Sequence, residues 1–195
     1  GGLTKSGSGL LTLSNANTYT GTTTISAGAI KLGNATALGS STGGTSITSG
    51  AALDLNGQNI SGTEALTING TGISSGGAVF NSSATGATYA GLITLGSASS
   101  IVGGTGSIAL THSGTITGAT YGLTMGGATG GSINSIIGTT SGTLTKVDAG
   151  TWTLNGVNTY TGTTTVNGGT LTFGVANSIA LSGAVTLANT AGVVL

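Results

Sequence analysis

Apolar and polar residues alternate in two similar stretches of the chain, Leu3–Gly33 and Leu144–Gly174, which align with Leu144 placed on Leu3. Sixteen of the 31 aligned positions are identical. Where the copies differ, an apolar residue mostly replaces an apolar one, as in Ile25 and Val166, and a polar residue replaces a polar one, as in Ser26 and Asn167. Alternation with a period of two predicts β-strands with one buried face.

A shorter period lies inside the long one. Ile25, Ile47 and Ile68 follow one another at nearly equal intervals, and Val166 and Val185 are separated by a similar interval. A unit of strand, turn, strand and turn with a period of about 19–25 residues predicts coils that stack on one another, because one coil cannot bury its apolar face alone. At about 4.8 Å per coil, the chain would form about nine coils and a rod about 40 Å long.

The turn residues agree with this prediction. Asn-Gly steps, which tolerate positive φ, recur along the chain, and Thr, Val and Ile favour the extended segments between them. We therefore predict an all-β fold, a parallel β-helix or β-solenoid with about 19–25 residues per coil and little or no α-helix. We expect residues 1–195 to form one continuous solenoid, a fragment of a longer repeat protein, with copies at 3–55 and 144–195 and an insert at 56–143.

Composition excludes several classes of function. The 195 residues include 40 Gly, no Cys, three Lys, no Arg and three acids, so the formal net charge is zero and 3% of residues are charged, where about a quarter is usual. Three scattered lysines cannot neutralise a nucleic-acid backbone, and nucleic acid is excluded as a partner. No apolar run approaches the roughly 18 residues of a membrane span, so no membrane insertion is expected within this segment.

One phrase of the sequence resembles a known family. Leu3-Thr4-Lys5, then Asn17-Thr18-Tyr19-Thr20-Gly21-Thr22-Thr23-Thr24, is similar to the autotransporter-associated β-strand repeat, also called the passenger-associated transport repeat, and Leu144-Thr145-Lys146 with Asn158-Thr159-Tyr160-Thr161-Gly162 is an equally good match. The resemblance implies a right-handed parallel β-helix in the passenger of a type V secreted or surface protein. It further implies an extracellular or outer-surface location and a part in secretion and folding rather than catalysis.

The candidate catalytic groups are few and poorly spaced. Asp54 and Glu64 lie about half a coil apart, Asp148 lies far beyond both, and His112 has no acidic or nucleophilic partner at a convincing spacing. We interpret all four as solvated surface groups on loops or turns. Lys5 and Lys146 recur at equivalent positions, for which we expect a local role in a turn or at the surface. The sequence therefore predicts no catalytic residue, no cofactor and no metal site, and the protein is not expected to be an enzyme.

Neither the aromatic residues nor the threonines indicate a binding surface clearly. Trp152 stands where the first copy has Leu11, which favours packing in or beside the core for Trp152, Tyr19 and Tyr160 over stacking on sugars. A face of Thr residues could bind ice, but Thr115-Ile116-Thr117 and Thr143-Leu144-Thr145 fit no shared coil spacing that the sequence alone establishes.

Three hypotheses follow. The first is a non-enzymatic structural solenoid, a rigid stalk, spacer or fibre that associates with further copies of itself, since little charge repulsion opposes association. The second is an adhesin module that binds glycan or a host protein near Tyr89 and Tyr121 in the insert. Ice binding or polysaccharide cleavage is a lower alternative.

Overall fold

The chain forms a parallel β-solenoid of about nine turns with about 21 residues per coil and essentially no helix. The computed structural model describes residues 1–176, 178–179 and 183–188. The predicted all-β solenoid is confirmed. A single 3-10 turn, Ile73–Ser75, interrupts the strands of the described residues. Among those residues there is no helix of the length and hydrophobicity that a membrane crossing needs.

The strands are short because each covers only one side of a coil. In chain order they are β1 (Leu3–Lys5), β2 (Leu10–Leu13), β3 (Thr23–Ile25), β4 (Ala29–Leu32), β5 (Thr45–Ile47), β6 (Ala52–Asp54), β7 (Asn59–Ile60), β8 (Leu66–Gly70), β9 (Val79–Phe80), β10 (Ala87–Tyr89), β11 (Ile93–Val102), β12 (Ile108–Leu110), β13 (Thr115–Ile116), β14 (Leu123–Gly126), β15 (Gly130–Ile133), β16 (Ile136–Ile137), β17 (Leu144–Lys146), β18 (Thr151–Leu154), β19 (Thr164–Val166), β20 (Thr170–Phe173) and β21 (Val185–Leu187).

Parallel pairing places these strands on three faces. Face A consists of β1, β3, β5, β8, the first half of β11, β13 and β16. Face B consists of β2, β4, β6, β9, the second half of β11, β14, β17, β19 and β21. Face C consists of β7, β10, β12, β15, β18 and β20. The ladders run through residues 56–143 as well as through both copies.

Apolar columns fill the interior, because the parallel register brings equivalent residues of successive coils above one another. On face A the inward column contains Ile25, Ile47, Ile68 and Leu95, each at most 2% exposed. On face C it contains Tyr89, Leu110, Ile133 and Leu154, and the pairing of β10, β12, β15 and β18 stacks these four directly. The buried residues form one continuous core cluster along the solenoid. Burial of these columns supplies the main favourable term in folding.

Strand β11 forms an irregular rung, with a shift in register. Its ten residues extend over two faces, and the pairing with β8 shifts between Leu95 and Ser99. In the coil below, the 3-10 turn Ile73–Ser75 connects β8 on face A to β9 on face B. Strand β8 therefore pairs with the first half of β11, and β9 pairs with the second half. The coil is longer here, because the chain from Leu66 to its partner Ile93 contains several more residues than the chain from Leu3 to its partner Thr23.

The two repeat copies do not occupy the same side of the solenoid. Strand β1 of the first copy lies on face A, but its equivalent in the second copy, β17, lies on face B. Likewise β2 lies on face B and its equivalent β18 on face C. Because six coils and about one third of another separate Leu3 from Leu144, the second copy is rotated by one face relative to the first.

Tight corners between faces B and C require glycine. Gly127 has a φ of 102°, a conformation that L side chains rarely adopt. A Cβ atom placed on it would overlap the backbone carbonyl of Gly103 in the coil below. Close approach of the two backbones at this corner therefore depends on the absence of a side chain.

We expect Gly127→Ala to destabilise the protein by about 2 to 4 kcal/mol, because strain at positive φ and a backbone clash act together. Gly50→Ala is the matched control, since Gly50 has a φ of 84° and no atom within 4 Å of its virtual Cβ. Strain alone should cost the control about 1 kcal/mol. Urea unfolding of both variants measures the difference, and equal losses would contradict the backbone contact.

Candidate functional site

The recurring lysine of the repeat links two coils. Lys146 lies two residues after Leu144 on β17, so both side chains face inward. The Lys146 side chain is accordingly 0% exposed, although it carries a charge. Its Nζ donates to the carbonyl oxygens of Val147 at 2.6 Å, Asp148 at 2.7 Å and Gly168 at 2.9 Å. Three acceptors satisfy the three N–H bonds of an ammonium group. The lysine thus joins its own turn to the turn of the next coil.

The first copy repeats this arrangement. Lys5 Nζ donates to the carbonyl oxygens of Gly7 and, at 3.1 Å, of Ala27. Gly7 and Ala27 are the equivalents of Asp148 and Gly168 in the alignment of the two copies. The role in a turn that we expect from the sequence is confirmed for both lysines. Burial lowers the pKa of Lys146, and the nearby carboxylate of Asp148 opposes that shift.

The asparagine of each copy forms a second link between coils. Asn17 Nδ2 donates to the carbonyl oxygen of Ala37 at 2.7 Å, and Asn158 Nδ2 donates to that of Ser178, the equivalent position. Asn158 is buried, and its Oδ1 also accepts the backbone N–H of Ile137 at 2.7 Å. The amide therefore connects the coil below with the coil above.

The tyrosine of each copy closes a corner of its coil. The Tyr19 hydroxyl lies 2.7 Å from Thr23 Oγ1, and the Tyr160 hydroxyl lies 2.6 Å from Thr164 Oγ1. Burial raises the pKa of Tyr160, while the hydrogen bond to Thr164 opposes that shift. Both rings are committed to contacts within the solenoid, as the sequence predicts.

Trp152 belongs to the core rather than to a sugar site. Its side chain is 0% exposed, and Nε1 donates to the carbonyl oxygen of Gly126 at 2.9 Å. Gly131 pairs with it from the coil below and leaves room for the indole, because a Cβ there would lie 3.1 Å from the ring. The prediction of packing in the core is confirmed.

The prediction that the acids are solvated is wrong for Asp54, which is 2% exposed. Oδ1 accepts the backbone N–H groups of Asn56 at 2.9 Å and Ser82 at 3.0 Å. Oδ2 accepts the Ser82 hydroxyl at 2.6 Å and lies 3.9 Å from Lys31 Nζ. A carboxylate that receives this many donors is stable when buried. Asp54 is a structural group at the corner after face B.

The prediction is also wrong for Glu64, which is 4% exposed at the corner between faces C and A. Oε1 accepts the Thr45 hydroxyl at 2.8 Å, but Oε2 has no hydrogen-bond partner. Burial raises the pKa of Glu64, and the hydrogen bond from Thr45 opposes that shift. Glu64 also lines a cavity of about 100 Å³. This acid is the one that the solenoid leaves incompletely satisfied.

The remaining polar candidates lie apart from one another. His112 is half-buried, with Nδ1 accepting the N–H of Gly114 at 2.7 Å, and Asp148 is exposed, with Oδ2 accepting the N–H of Gly127 at 2.7 Å. Within residues 1–176, 178–179 and 183–188 no three His, Cys, Asp or Glu side chains form a group that could hold a metal ion.

The aromatic residues of the predicted adhesive region have different environments. Tyr89 is 0% exposed and donates its hydroxyl hydrogen to the carbonyl oxygen of Glu64 at 2.8 Å, so its ring is not available for contact with a ligand. Its position on β10 faces the core, where the neighbouring rung holds Leu110. Tyr121 is 39% exposed.

Threonine and serine form columns on the outer surface. The pairing of face A places six hydroxyl residues at one register position of successive coils, namely Thr4, Thr24, Ser46, Thr67, Thr94 and Thr117. On face B a second column consists of Thr124, Thr145, Thr165 and Thr186. Thr117 and Thr145 each share a register with other Thr residues, but they lie on different faces and so share none with each other. The pattern is hidden because coil length varies.

Comparison with known protein families finds a match at the two copies that contain these links. A model of the passenger-associated transport repeat matches residues 3–32 and 144–173. This chain carries two passenger-associated transport repeats. The Lys, Asn and Tyr contacts described above all originate within these repeats. The matched ranges are shorter than the copies at 3–55 and 144–195 that we expect from the sequence.

A relative extends the comparison beyond the repeats. The Adhesin BmaC autotransporter of Brucella suis biovar 1 (strain 1330) is 31% identical over 172 residues, which cover 88% of this chain and 4% of the relative. No solved structure matches the chain. The repeats and the relative identify a segment of a surface passenger and indicate an extracellular or outer-surface location.

We expect Lys146→Met to destabilise the protein by about 2 to 4 kcal/mol, because Met fills similar space but leaves buried carbonyl oxygens without a donor. Lys31→Met is the matched control, since Lys31 is half-buried and has one ion-pair contact at 3.9 Å. Its loss should cost about 1 kcal/mol or less. Thermal and urea unfolding compare the two, and a smaller loss for Lys146→Met than for the control would count against the lysine link.

We expect Glu64→Gln to raise the free energy of unfolding at pH 8 and to change it little at pH 4. The raised pKa means that the folded state holds the Glu64 proton more tightly than the unfolded state. The stabilisation that this proton confers is complete below the unfolded pKa of about 4.3 and is lost as the pH rises through the folded pKa.

Urea unfolding at the two pH values measures this effect. Asp54→Asn serves as the contrast, because Asp54 accepts three hydrogen bonds and its replacement should destabilise the protein by about 1 to 3 kcal/mol at pH 8. A Glu64→Gln variant that is less stable at pH 8 than the parent chain would contradict the prediction.

Proposed function

We propose that this segment is a non-enzymatic, rigid spacer within the passenger of a bacterial surface protein. The proposal rests on one observation, namely that the polar side chains of the repeat are buried and hydrogen-bonded within the solenoid. Lys146, Asn158 and Tyr160 are all buried, and each is bound to backbone or side-chain groups of the solenoid itself. Side chains committed in this way hold coils together and are not available to a ligand.

The geometry of the stack supports the same role. A parallel solenoid lengthens by about 4.8 Å with every coil and buries a further rung of the same core. Each repeat joins its coil to the next through Lys and Asn links, and the second copy lies about six coils beyond the first. We propose that the repeats act as reinforced sections of a spacer whose length is set by the number of coils.

Association with further copies of the chain is a proposal that the low charge supports. The chain has three basic and three acidic residues, so surfaces of neighbouring rods repel one another weakly. The hydroxyl columns on faces A and B consist of uncharged Thr and Ser residues. Lateral packing of such columns would give fibres rather than single rods.

Adhesion is the second candidate function, and two observations favour it. The relative that matches most of this chain is described as an adhesin, although the chain spans only 4% of its length. The hydroxyl columns also offer hydrogen-bond donors and acceptors at regular intervals on an outer surface. If this segment adheres, we expect those columns to form the contact rather than the buried repeat side chains.

Deletion of one whole coil separates the two functions. Leu123 pairs with Leu144 in the parallel ladder, so removal of residues 123–143 from the parent surface protein joins two positions of equal register. A spacer should tolerate this deletion, with surface display and cell attachment retained. Removal of residues 123–132, which breaks the register, is the control and should abolish display.

Competition and microscopy complete the test. An excess of the purified 195-residue chain should not compete with the parent protein for cell attachment if the segment is a spacer. Competition would instead support adhesion. Electron microscopy of the same material should show isolated rods or fibres, and compact spheres would contradict the spacer.

A further inference from the structure

The connection between β8 and β9 is longer than its counterpart in the coil below. It contains eight residues, 71–78, whereas the connection between β5 and β6 contains four, 48–51. The N–H of Gly77 donates to the carbonyl oxygen of Thr71 at 2.9 Å, and the N–H of Gly76 donates to that of Ile73 at 2.8 Å. These bonds close the extra residues into a loop that is held by its own backbone.

The backbone of this loop adopts a specific and costly shape. Four of its residues have positive φ, namely Gly72 (76°), Ser74 (48°), Ser75 (61°) and Gly77 (103°). A Cβ atom on Gly72 would overlap the carbonyl oxygen of Gly77. Two consecutive serines at positive φ persist only where the surrounding contacts hold them there. The loop is therefore a defined wall rather than a slack connection.

The strands on either side of the loop present two apolar side chains to the outside of face B. Leu53 of β6 pairs with Val79 of β9, and both belong to the core cluster. Because successive side chains of a strand point to opposite sides, Ala52 and Phe80 face outward. Ala52 is nevertheless 1% exposed and is not part of the core cluster. Residues outside the core must therefore cover it.

A pocket of about 360 Å³ lies between the loop and this outer surface, and it is partly open to solvent. Its lining consists of Ala52, Ile73, Gly76, Gly77 and Phe80, none of which has a polar side chain. Ile73 on the loop is 43% exposed. The volume lies within the range of pockets for small molecules and equals that of about 12 liquid waters. An apolar ligand would displace water from this lining at a gain in free energy.

The apolar surface does not extend far beyond the pocket. In the coil below, the residue paired with Phe80 is Asp54, whose Oδ2 lies 3.9 Å from Lys31 Nζ. In the coils above, the outward positions in the column of Ala52 are Ser100 and Thr124. A stable protein interface buries about 800 Å² on each partner. The pocket therefore suits a small molecule better than the face of another protein.

We propose that the pocket beneath this loop binds a small, uncharged aromatic molecule of one or two rings. The ligand lies on Ala52 and packs against the ring of Phe80, while Ile73 contacts it from the loop. A charged ligand would lose hydration without gaining a polar side chain as partner. This inference does not rest on the spacer role, because a solenoid can serve as a spacer with or without an occupied pocket.

Two ring compounds of similar size and opposite polarity test the proposal. Indole is apolar and uncharged, whereas glucose carries hydroxyl groups around its ring. In NMR titrations of the 195-residue chain, indole should shift the backbone N–H signals of Gly76 and Gly77, and glucose should leave them unchanged. Calorimetry with indole should give a negative heat-capacity change, as burial of apolar surface requires. Added salt should not weaken the binding, since no ion pair contributes.

Three variants locate the site. Ile73→Ser removes apolar contact from the loop and should weaken indole binding roughly fivefold or more. Ala52→Leu adds three carbon atoms at the lining and should weaken binding at least as much. Val157→Ser is the matched control, because Val157 is 53% exposed and does not line the pocket, so its replacement should leave binding unchanged. Circular dichroism and urea unfolding should show that all three variants retain the fold.

Five results would overturn the proposal. They are no binding of indole to the parent chain, glucose binding as strong as that of indole, full binding by both Ile73→Ser and Ala52→Leu, a loss of binding by Val157→Ser as large as theirs, and dimers that indole dissociates. The last result, seen by analytical ultracentrifugation, would assign the pocket to a second copy of the chain. The spacer role is tested separately, by the in-register deletion of one coil.

Discussion

Parallel register between successive coils is the constraint on which the rest of this structure depends. Each strand takes its backbone hydrogen bonds from the coils above and below, so a side chain that faces inward in one coil must fit its counterpart in the next. This requirement produces the columns of Ile, Leu and Val in the interior and the columns of Thr on the surface. It also explains why glycine is needed where two backbones meet at a corner, as at Gly127 above Gly103.

The same register gives meaning to the polar residues of the repeat. In most proteins a lysine at an inward position would be costly, since the charge loses its hydration. Here Lys146 lies between Met125 and Val166 in an inward column, yet its ammonium reaches backbone carbonyl oxygens of two turns. Solenoid turns leave carbonyl groups unpaired by the ladders, and a long cationic side chain can satisfy several of them at once. The contacts recur in the first copy, which shows that they belong to the repeat.

Much of the fold follows from the sequence, because alternation and turn chemistry are local signals. The period of two in Leu3–Gly33, the spacing of Ile25 and Ile47, and the aligned replacement of Leu11 by Trp152 all predict buried columns, and the structure contains them. The three faces and the rotation of the second copy are not local. They depend on the summed lengths of intervening coils, and the long rung at β11 changes that sum without any repeated motif to indicate it.

The environments of the charged residues were the least predictable part of the site. A sparse charge normally indicates a solvated surface, and this assumption is wrong for Asp54 and Glu64. Lys146 has the turn role that the sequence suggests, but it is buried rather than at the surface. For Lys146 a signal was present, because the alternation in Leu144-Thr145-Lys146 places the lysine on the same side as a core leucine. For Glu64 the sequence offered none, since its burial depends on residues such as Thr45 and Tyr89 that reach it only through the stacking of coils.

A chain with so few charges gives each of them unusual weight. Lysine and asparagine side chains in the repeats complete their hydrogen bonds inside the solenoid, and Asp54 does the same at the corner after face B. These groups add stability and specify which coil follows which, as the polar residues of a structural element should. Glu64 has the burial of a structural group without its full set of partners. Its cost is tolerated because the surrounding columns and corner contacts, which include the Tyr89 hydroxyl on the Glu64 backbone carbonyl, hold the coil in place.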